Sequence, residues 1–145
     1  MVELVVVIVM IGILAAVAVP RLTGGSGIDD RSFRDRTIAA LRYAQKSAIA
    51  SRRTVCATFP ASLTDVAFNQ STVVGATDCT TSVPLSGPDG GALVVTASAN
   101  ARYAAQPGDV IFDASGRPNA AASIVISGLP VALAITVEAE TGYVH

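Results

Sequence analysis

The stretch from Glu3 to Pro20, ELVVVIVMIGILAAVAVP, decides how the rest of the chain is organised. Between the acid and the proline lie sixteen consecutive residues without a charge or a hydrogen-bonding side chain. As a helix this run spans roughly 24 Å, somewhat less than the ~30 Å hydrocarbon core of a bilayer. A carboxylate at its head costs a few kcal/mol in hydrocarbon, so we expect Glu3 to have a specific partner.

Residues 1–20 fit three interpretations. The first is a cleaved signal peptide with a small-x-small cleavage site at Ala16-Val17-Ala18, although the positively charged start of such peptides is missing. The second is an ordinary membrane anchor. The third is a helix that lies first in the bilayer and later in a bundle of helices. Of the three, only the last gives Glu3 a partner.

Two parts of this segment resemble a known family. Met1 to Val9 (MVELVVVIV) and Gly12 to Arg21 (GILAAVAVPR) are similar to the N-terminal signature of type IV pilins and type II secretion pseudopilins. The resemblance implies that Glu3 is the family glutamate, which pairs with the methylated N-terminal amine of an adjacent subunit. Independently of the resemblance, Gly12 and Pro20 mark weak points at which the helix can bend or open, and a helix break is expected at Pro20. The implied membrane anchor, which later becomes the filament core, consists of Leu4, Val5, Val6, Val7, Ile8, Val9, Met10, Ile11, Ile13 and Leu14.

The sequence departs from the family pattern ahead of Met1. The basic leader, the glycine after which a prepilin peptidase cuts, and the Phe-Thr pair that begins a mature subunit are missing. We therefore expect Met1 to be an internal or misassigned start, or the sequence to be trimmed. With Phe-Thr restored, the apolar helix reaches about 20 residues, which is the length that spans a bilayer.

A flexible break at residues 23–28, centred on Gly24-Gly25-Ser26-Gly27, separates this segment from a second helix. Asp29 or Asp30 is expected to cap a helix that begins near Arg31 and reaches residue 53. Its small and apolar side chains recur every three or four residues and predict one buried face: Phe33, Thr37, Leu41, Ala44, Ala48 and Ser51.

The charge of the chain is distributed unevenly. Residues 29–53 hold seven basic groups against three acids, whereas residues 54–145 hold two basic groups against seven acids. Arg34, Arg42, Lys46 and Arg53 fall largely off the apolar stripe of the second helix. They indicate either a solvated helix face or a basic surface that meets the acidic heads of neighbouring subunits. The asymmetry therefore concerns assembly and partners.

The segment from Leu41 to Cys56, LRYAQKSAIASRRTVC, narrows the resemblance. It resembles the minor pilin and pseudopilin subgroup that includes the H-type pseudopilin of type II secretion and the T-type fimbrial minor pilins. In that subgroup the helix runs directly into a first strand, here Thr54–Phe59. Two later stretches look like landmarks of the same subgroup, Ile111 to Pro118 (IFDASGRP) and Thr141 to Val144 (TGYV).

Short β-branched runs separated by glycine and proline turns predict a β-rich head over residues 54–145. After the first strand, the predicted strands are Leu63–Phe68, Leu93–Ala97, Val110–Phe112, Ser123–Ile126, Leu133–Glu138 and Tyr143–Val144. We expect an α+β fold with a long N-terminal helix packed on an antiparallel β-rich head. The first half of that helix (residues 1–22) is expected to be transmembrane and the second half (residues 29–53) amphipathic.

The cysteines Cys56 and Cys79 both follow the apolar segment. If that segment exports the head, they lie in an oxidising compartment, and a disulfide between them is expected. Two reduced, buried thiols are the alternative. Their separation matches no zinc or redox spacing.

Catalytic constellations are not evident in the sequence. His145 is the one histidine, which leaves no plausible Ser-His-Asp or Cys-His arrangement and no histidine-based metal cluster. Asp89-Gly90-Gly91 and Asp109 lack the repeated oxygen ligands of a calcium loop and fit turns better. No phosphate-binding glycine loop is found. We expect a protein that is not an enzyme and needs no cofactor.

The resemblance implies a minor pilin or pseudopilin that primes or caps the tip of a type IV pilus or type II secretion pseudopilus. Its expected partners are other pilins or pseudopilins, the inner membrane and the prepilin peptidase. It is expected in the inner membrane with a periplasmic head, and later in the filament. One alternative is a DNA-binding minor pilin, disfavoured because Asp113, Glu138 and Glu140 crowd the C-terminal region around Arg117. The other is a membrane-tethered adhesin or binding module.

Overall fold

A computed structural model describes residues 2–23, 26–98 and 100–145, and the side chains of residues 2–16, 27–98 and 100–145. Its helices are α1 (Val2–Thr23) and α2 (Ser26–Ser51). The strands in chain order are β1 (Val55–Thr58), β2 (Asp65–Ser71), β3 (Ser82–Pro84), β4 (Val94–Thr96), β5 (Val110–Phe112), β6 (Ala122–Ile124) and β7 (Ile135–Val137). A short 3₁₀ helix, Val131–Leu133, precedes β7. The predicted α+β class, a helix on an antiparallel head, is confirmed.

The first helix continues through Pro20 and ends at Thr23, three residues beyond the predicted break. A proline removes one backbone hydrogen bond, and a helix can bend at that point without ending. Gly24 and Gly25, the centre of the predicted flexible break, lie outside the described residues.

The second helix begins earlier than predicted. Because α2 starts at Ser26, Asp29 lies within its first turn, and the prediction of an N-cap at Asp29 or Asp30 is wrong. Asp29 accepts a hydrogen bond from the Ser98 hydroxyl at 3.3 Å. Asp30 is buried with its carboxylate against the backbone of Gly128. Asp29 and Asp30 therefore contact the head. Tertiary contacts of this kind routinely override the local preference that predicts where a helix begins.

The buried face of α2 follows the predicted spacing. Five of the six predicted residues are fully buried, and Ser51 at the end of the helix is exposed: the buried ones are Phe33, Thr37, Leu41, Ala44 and Ala48. Thr37 fits among apolar neighbours because its hydroxyl donates to the carbonyl oxygen of Phe33 at 2.9 Å.

The larger sheet, which is antiparallel, is built around β1. One side of β1 pairs with β2, with Cys56 opposite Asn69, and the other side pairs with β5, with Cys56 opposite Ile111. The far side of β2 pairs with β3 in its second half and with β4 in its first half. β1 and α2 are therefore in direct contact at the centre of the head, and the short strands lie at the margins.

A second sheet pairs β6 with β7, with Ile124 opposite Ile135. The end of the chain folds back along β7, because Thr136 and His145 exchange backbone hydrogen bonds at 2.8 and 3.0 Å. The predicted final strand at Tyr143–Val144 is thus present as a bridge between Val144 and Val137. This turn brings the TGYV landmark close to α2.

An aromatic cluster occupies the core beneath the first half of α2. The ring of Tyr103 lies 4.9 Å from that of Phe33 and 5.3 Å from that of Phe59, measured between centroids. All three side chains are at most 2% exposed. Offset and edge-on aromatic pairs add to the stability gained from burial alone.

Cys56 and Cys79 form a disulfide across 23 positions of sequence. Cys56 is buried on β1, and Cys79 belongs to the loop between β2 and β3. The bond therefore ties this loop to the central strand of the sheet.

Breaking the disulfide is expected to destabilise the head. Closing a loop of this length contributes about 3 kcal/mol in the chain-entropy model. Cys79→Ala removes the bond without changing the buried residue Cys56, and urea unfolding followed by circular dichroism should show a loss of about that size. The double variant Cys56→Ala/Cys79→Ala adds the cost of a smaller buried side chain. An unchanged unfolding midpoint in Cys79→Ala would contradict the expectation.

Tyr103 makes the head sensitive to alkaline pH. Burial raises the pKa of Tyr103 to about 12, although the nearby Thr37 hydroxyl favours ionisation. An unfolded tyrosine ionises near pH 10, so its contribution is complete below pH 10 and is lost as pH rises toward 12. The free energy of unfolding should fall by about 2–3 kcal/mol across that window.

Tyr103→Phe is the matched control for this titration, since it keeps the ring and removes the ionisable group. The variant should lose less stability between pH 10 and 12 than the unmodified chain, as followed by urea unfolding at each pH. Parallel losses in the two proteins would show that other groups dominate the alkaline response.

Candidate functional site

The first helix presents apolar side chains on all sides. The side chains of Leu4–Leu14 other than Gly12 are 48–69% exposed. Glu3 lies in the first turn of the same helix. A continuous apolar surface of this kind requires cover by lipid or by other helices. All of the residues predicted to form the membrane anchor and filament core therefore lie on one uncovered element, beside the predicted assembly glutamate.

Within the described part of the chain, no helix combines the length and the hydropathy that crossing a membrane requires.

The second helix is fixed to the head by two polar side chains of the stretch that carried the subgroup resemblance. The Arg42 Nε–H donates to the carbonyl oxygen of Val144 at 2.9 Å. The Gln45 amide donates to the carbonyl oxygens of Gly116 at 3.0 Å and Thr141 at 2.8 Å. One amide group of α2 therefore contacts both landmark stretches, although they lie 25 residues apart in sequence, from 116 to 141.

Two glycines make this close approach to Gln45 possible. Gly116 has a φ of +80°, and a Cβ there would lie 2.6 Å from Cδ1 of Ile49. Gly142 has a φ of +66°, and a Cβ there would overlap the carbonyl oxygen of Gly116 and lie 2.6 Å from the Gln45 Nε2. Glycine alone adopts positive φ at little cost and leaves room for the neighbouring backbone. We call Gln45, Gly116, Thr141 and Gly142 the helix–head junction.

Three of the four cationic side chains that were predicted to lie off the buried stripe of α2 donate hydrogen bonds to backbone carbonyl groups of the head. The Arg34 Nε–H donates to the carbonyl oxygen of Leu133 at 2.6 Å, and Arg53 donates to the carbonyl oxygens of Ser71 and Thr72. Together with Arg42, they bind backbone carbonyl groups of their own head. The basic surface that meets the heads of neighbouring subunits stays a prediction. Lys46 alone of the four is exposed without such a bond in the described structure, and Arg31, Arg36 and Arg52 are exposed as well.

These contacts were not evident in the sequence, because the partner carbonyls of Arg34 and Arg42 lie 99 and 102 residues away. The signal for the junction was present in the two landmark glycines, Gly116 and Gly142, which end turns and mark positions of unusual backbone geometry.

In the C-terminal region, surface side chains of opposite type lie close together. Arg117 pairs with Glu140, and His145 lies 3.4 Å from Glu138. The Asp113 carboxylate accepts hydrogen bonds from the backbone N–H groups of Ser115 and Arg117, which supports a turn. A phosphate-binding surface needs several free cations, and Arg117 is already paired. No group of three His, Cys, Asp or Glu side chains suited to a metal occurs among the described residues.

Comparison with known proteins connects this arrangement to a family. Residues 35–141 match the family described as Type II transport protein GspH. The chain belongs to this family. The matched region spans well over half of the chain and includes Gln45, Gly116 and Thr141 of the helix–head junction.

A solved structure shares the fold. The minor pseudopilin EpsH from the Type 2 Secretion System of Vibrio cholerae superposes with a TM-score of 0.60 at 12% sequence identity. The superposition covers 81% of this chain and 94% of that chain. No curated protein matches the sequence. The predicted membership in the minor pseudopilin family is confirmed, and neither match supports the DNA-binding or adhesin alternatives.

Proposed function

We propose that this chain is a minor pseudopilin that assembles through α1 into the pseudopilus of a type II secretion system. The observation that carries the proposal is the combination of a GspH-type head with an uncovered apolar helix that begins at a carboxylate. The head alone would be a small soluble domain, and the helix alone would be an anchor. Their union in one chain fits a subunit that is stored in the inner membrane and then moved into a filament.

The role that we propose for Leu4–Leu14 is to lie first in lipid and then against the same helices of neighbouring subunits. Both environments are apolar, so the exposed valine, isoleucine and leucine side chains suit both. Glu3 is the exception, because an unpaired carboxylate is costly in either environment. The proposed partner is the methylated N-terminal amine of an adjacent subunit, which a prepilin peptidase exposes when it processes that subunit.

We propose a structural role for the subunit, with its head in the periplasm and its position at or near the tip of the pseudopilus. The junction around Gln45 supports this role, since a head that is rigidly fixed to its helix transmits the orientation of the helix to the surface of the filament. The position near the tip comes from the subgroup resemblance alone.

Deletion of the gene in its host tests the proposal. Exoproteins of the type II system should accumulate in the periplasm instead of the medium, and a plasmid copy of the intact gene should restore their release. The head should cofractionate with the inner membrane and crosslink to other pseudopilins there. Normal exoprotein release in the deletion strain would reject a role in type II secretion.

A further inference from the structure

Two loops of the head meet the first turn of α2. The Ser98 hydroxyl donates to the carboxylate of Asp29 at 3.3 Å, and the carboxylate of Asp30 lies against the backbone of Gly128. These contacts place both loops at the end of the head where α2 begins. We call the surface at this end the basal face, and the argument below concerns its exposed side chains Ile28, Arg31, Arg102 and Val131.

The basal face is also the end of the head that is linked to α1. The first helix ends at Thr23 and α2 begins at Ser26. Three residues span at most about 11 Å even when they are fully extended. Since α1 is the proposed membrane anchor, the basal face stays close to the membrane surface at any angle between the two helices.

Exposed apolar side chains mark the basal face. Ile28 is 76% exposed and Val131 is 74% exposed, the highest values among the large apolar side chains described beyond α1. Val131 begins the 3₁₀ helix, which is fixed beside α2 because the Arg34 Nε–H donates to the carbonyl oxygen of Leu133. Single exposed apolar side chains are common on soluble domains. Two of them at the end that is linked to an apolar helix are suited to the boundary between lipid headgroups and acyl chains.

Two cations accompany these apolar side chains. Arg31 and Arg102 are exposed and take part in no salt bridge among the described residues. Arg102 belongs to the basal face because its carbonyl oxygen accepts a hydrogen bond of 2.8 Å from the backbone N–H of Ser127, next to Gly128. A guanidinium group donates paired hydrogen bonds to phosphate oxygens, so both side chains are suited to phospholipid headgroups.

The carboxylates at this end of the head are engaged within the protein. Asp29 accepts a hydrogen bond from the head, and Asp30 is buried. Asp65, at the start of β2, accepts hydrogen bonds from the hydroxyls of Ser62 at 2.5 Å and Thr64 at 3.1 Å. The exposed charges that the basal face offers to a ligand are therefore mainly cationic, which favours an anionic surface.

We propose that the basal face rests on the anionic phospholipid surface of the membrane that holds α1. Ile28 and Val131 lie at the acyl boundary, and Arg31 and Arg102 bind lipid phosphates. The inference rests on the proposed insertion of α1 in the membrane. Lipid is the favoured occupant because a partner protein would have to enter between the basal face and the membrane, where a link of about 11 Å leaves little room. The contact needs one copy of the chain, as suits a minor subunit that awaits assembly.

Fluorescence quenching of the full chain in liposomes tests the proposal. Val131→Cys carries an environment-sensitive fluorophore on the added thiol, because the native cysteines are bonded to each other and none of the described cysteines is free. The liposomes contain phosphatidylglycerol and a lipid with a nitroxide quencher on its headgroup. We expect the label at residue 131 to be strongly quenched and its emission to shift to shorter wavelength.

Val74→Cys is the matched control, because Val74 is 73% exposed and lies at the opposite end of the head. Its loop is fixed there by Arg53, which follows α2 and donates to the carbonyl oxygen of Thr72. Between residues 31 and 51 the helix rises by roughly 30 Å, so a label at residue 74 should escape quenching.

Charge reversal separates docking of the basal face from mere proximity through the link to α1. Arg31→Glu and Arg102→Glu should each lower the ratio of docked to undocked heads about fivefold, as expected for one cation at an anionic lipid surface. Quenching at residue 131 reports this ratio, and neutral phosphatidylcholine in place of phosphatidylglycerol should reduce it as well. Lys46→Glu, exposed on the second half of α2, is the matched control and should have no effect.

Quenching at residue 131 no stronger than at residue 74 would overturn the proposal. Quenching that neither arginine variant reduces would also overturn it, as would quenching that is lost when the protein is diluted in the membrane, since the face would then require a second subunit.

Flotation of the chain with the liposomes distinguishes this inference from the proposed function. A chain that does not float has no inserted anchor, which rejects both the anchor and the docking of the basal face. A chain that floats without quenching at residue 131 rejects the docking alone. Normal type II secretion in the gene deletion would reject the secretion role and leave the quenching result unaffected.

Discussion

Glu3→Ala is expected to abolish incorporation into the pseudopilus while leaving the head folded. Glu3 lies in the first turn of α1, and the apolar side chains that follow it are exposed, so the variant removes no contact of the head core. In the filament that we propose, the same change removes one member of the proposed charge pair in a dry bundle. Breaking such a pair costs about 3–5 kcal/mol, which lowers incorporation at least a hundredfold at equilibrium.

Incorporation is measured as the fraction of the tagged chain that copurifies with sheared pseudopili, and folding as the thermal unfolding midpoint of the head. Glu3→Gln separates charge from shape and should fail nearly as completely, because the neutral amide cannot neutralise an ammonium group. Asp35→Ala removes an exposed carboxylate from α2 and is the matched control. Normal incorporation of both Glu3 variants would exclude the pairing that we propose.

The elements of the head were predictable wherever local pattern and tertiary environment agree. Runs of β-branched residues located β1, β4, β5, β6 and β7 to within two residues. Strand β3 was missed because Ser82-Val83-Pro84 combines a polar residue with a proline, which is tolerated only at a sheet margin. Strand β2 extends to Ser71, because pairing with both β1 and β3 keeps its polar end in the sheet.

The candidate site, like the strands, was predictable from the sequence only in part. The apolar helix and Glu3 are properties of adjacent residues, so periodicity and composition find them. The helix–head junction depends on carbonyl groups that the fold brings to Gln45 from positions 116 and 141, and no local pattern encodes that convergence. The basic residues show the same limit. The sequence correctly placed Arg34 and Arg42 off the buried stripe of α2, but only the fold shows that they donate to backbone carbonyls of the head.

Gly142→Ala is expected to destabilise the head more than replacement of any other glycine of the head by alanine. Alanine at this position must adopt a φ of +66°, which L-residues rarely do, and its Cβ would overlap the carbonyl oxygen of Gly116. That oxygen belongs to backbone, so the TGYV turn must move away from α2. Overpacking and backbone strain together give a loss of about 3–5 kcal/mol. Urea unfolding should report it, with a fall of the thermal midpoint on the order of 10–20 °C.

Gly75→Ala is the matched control, because Gly75 has a φ of +78° but open space where a Cβ would stand. It should lose only the backbone cost of about 1 kcal/mol. Gln45→Ala removes two hydrogen bonds from the same junction and should cost about 1–3 kcal/mol alone. In the Gly142→Ala background it should cost much less, since the displaced turn no longer reaches the amide. Additive losses would mean that the turn stays docked, and that the junction does not act as the single unit that orients the head on its helix.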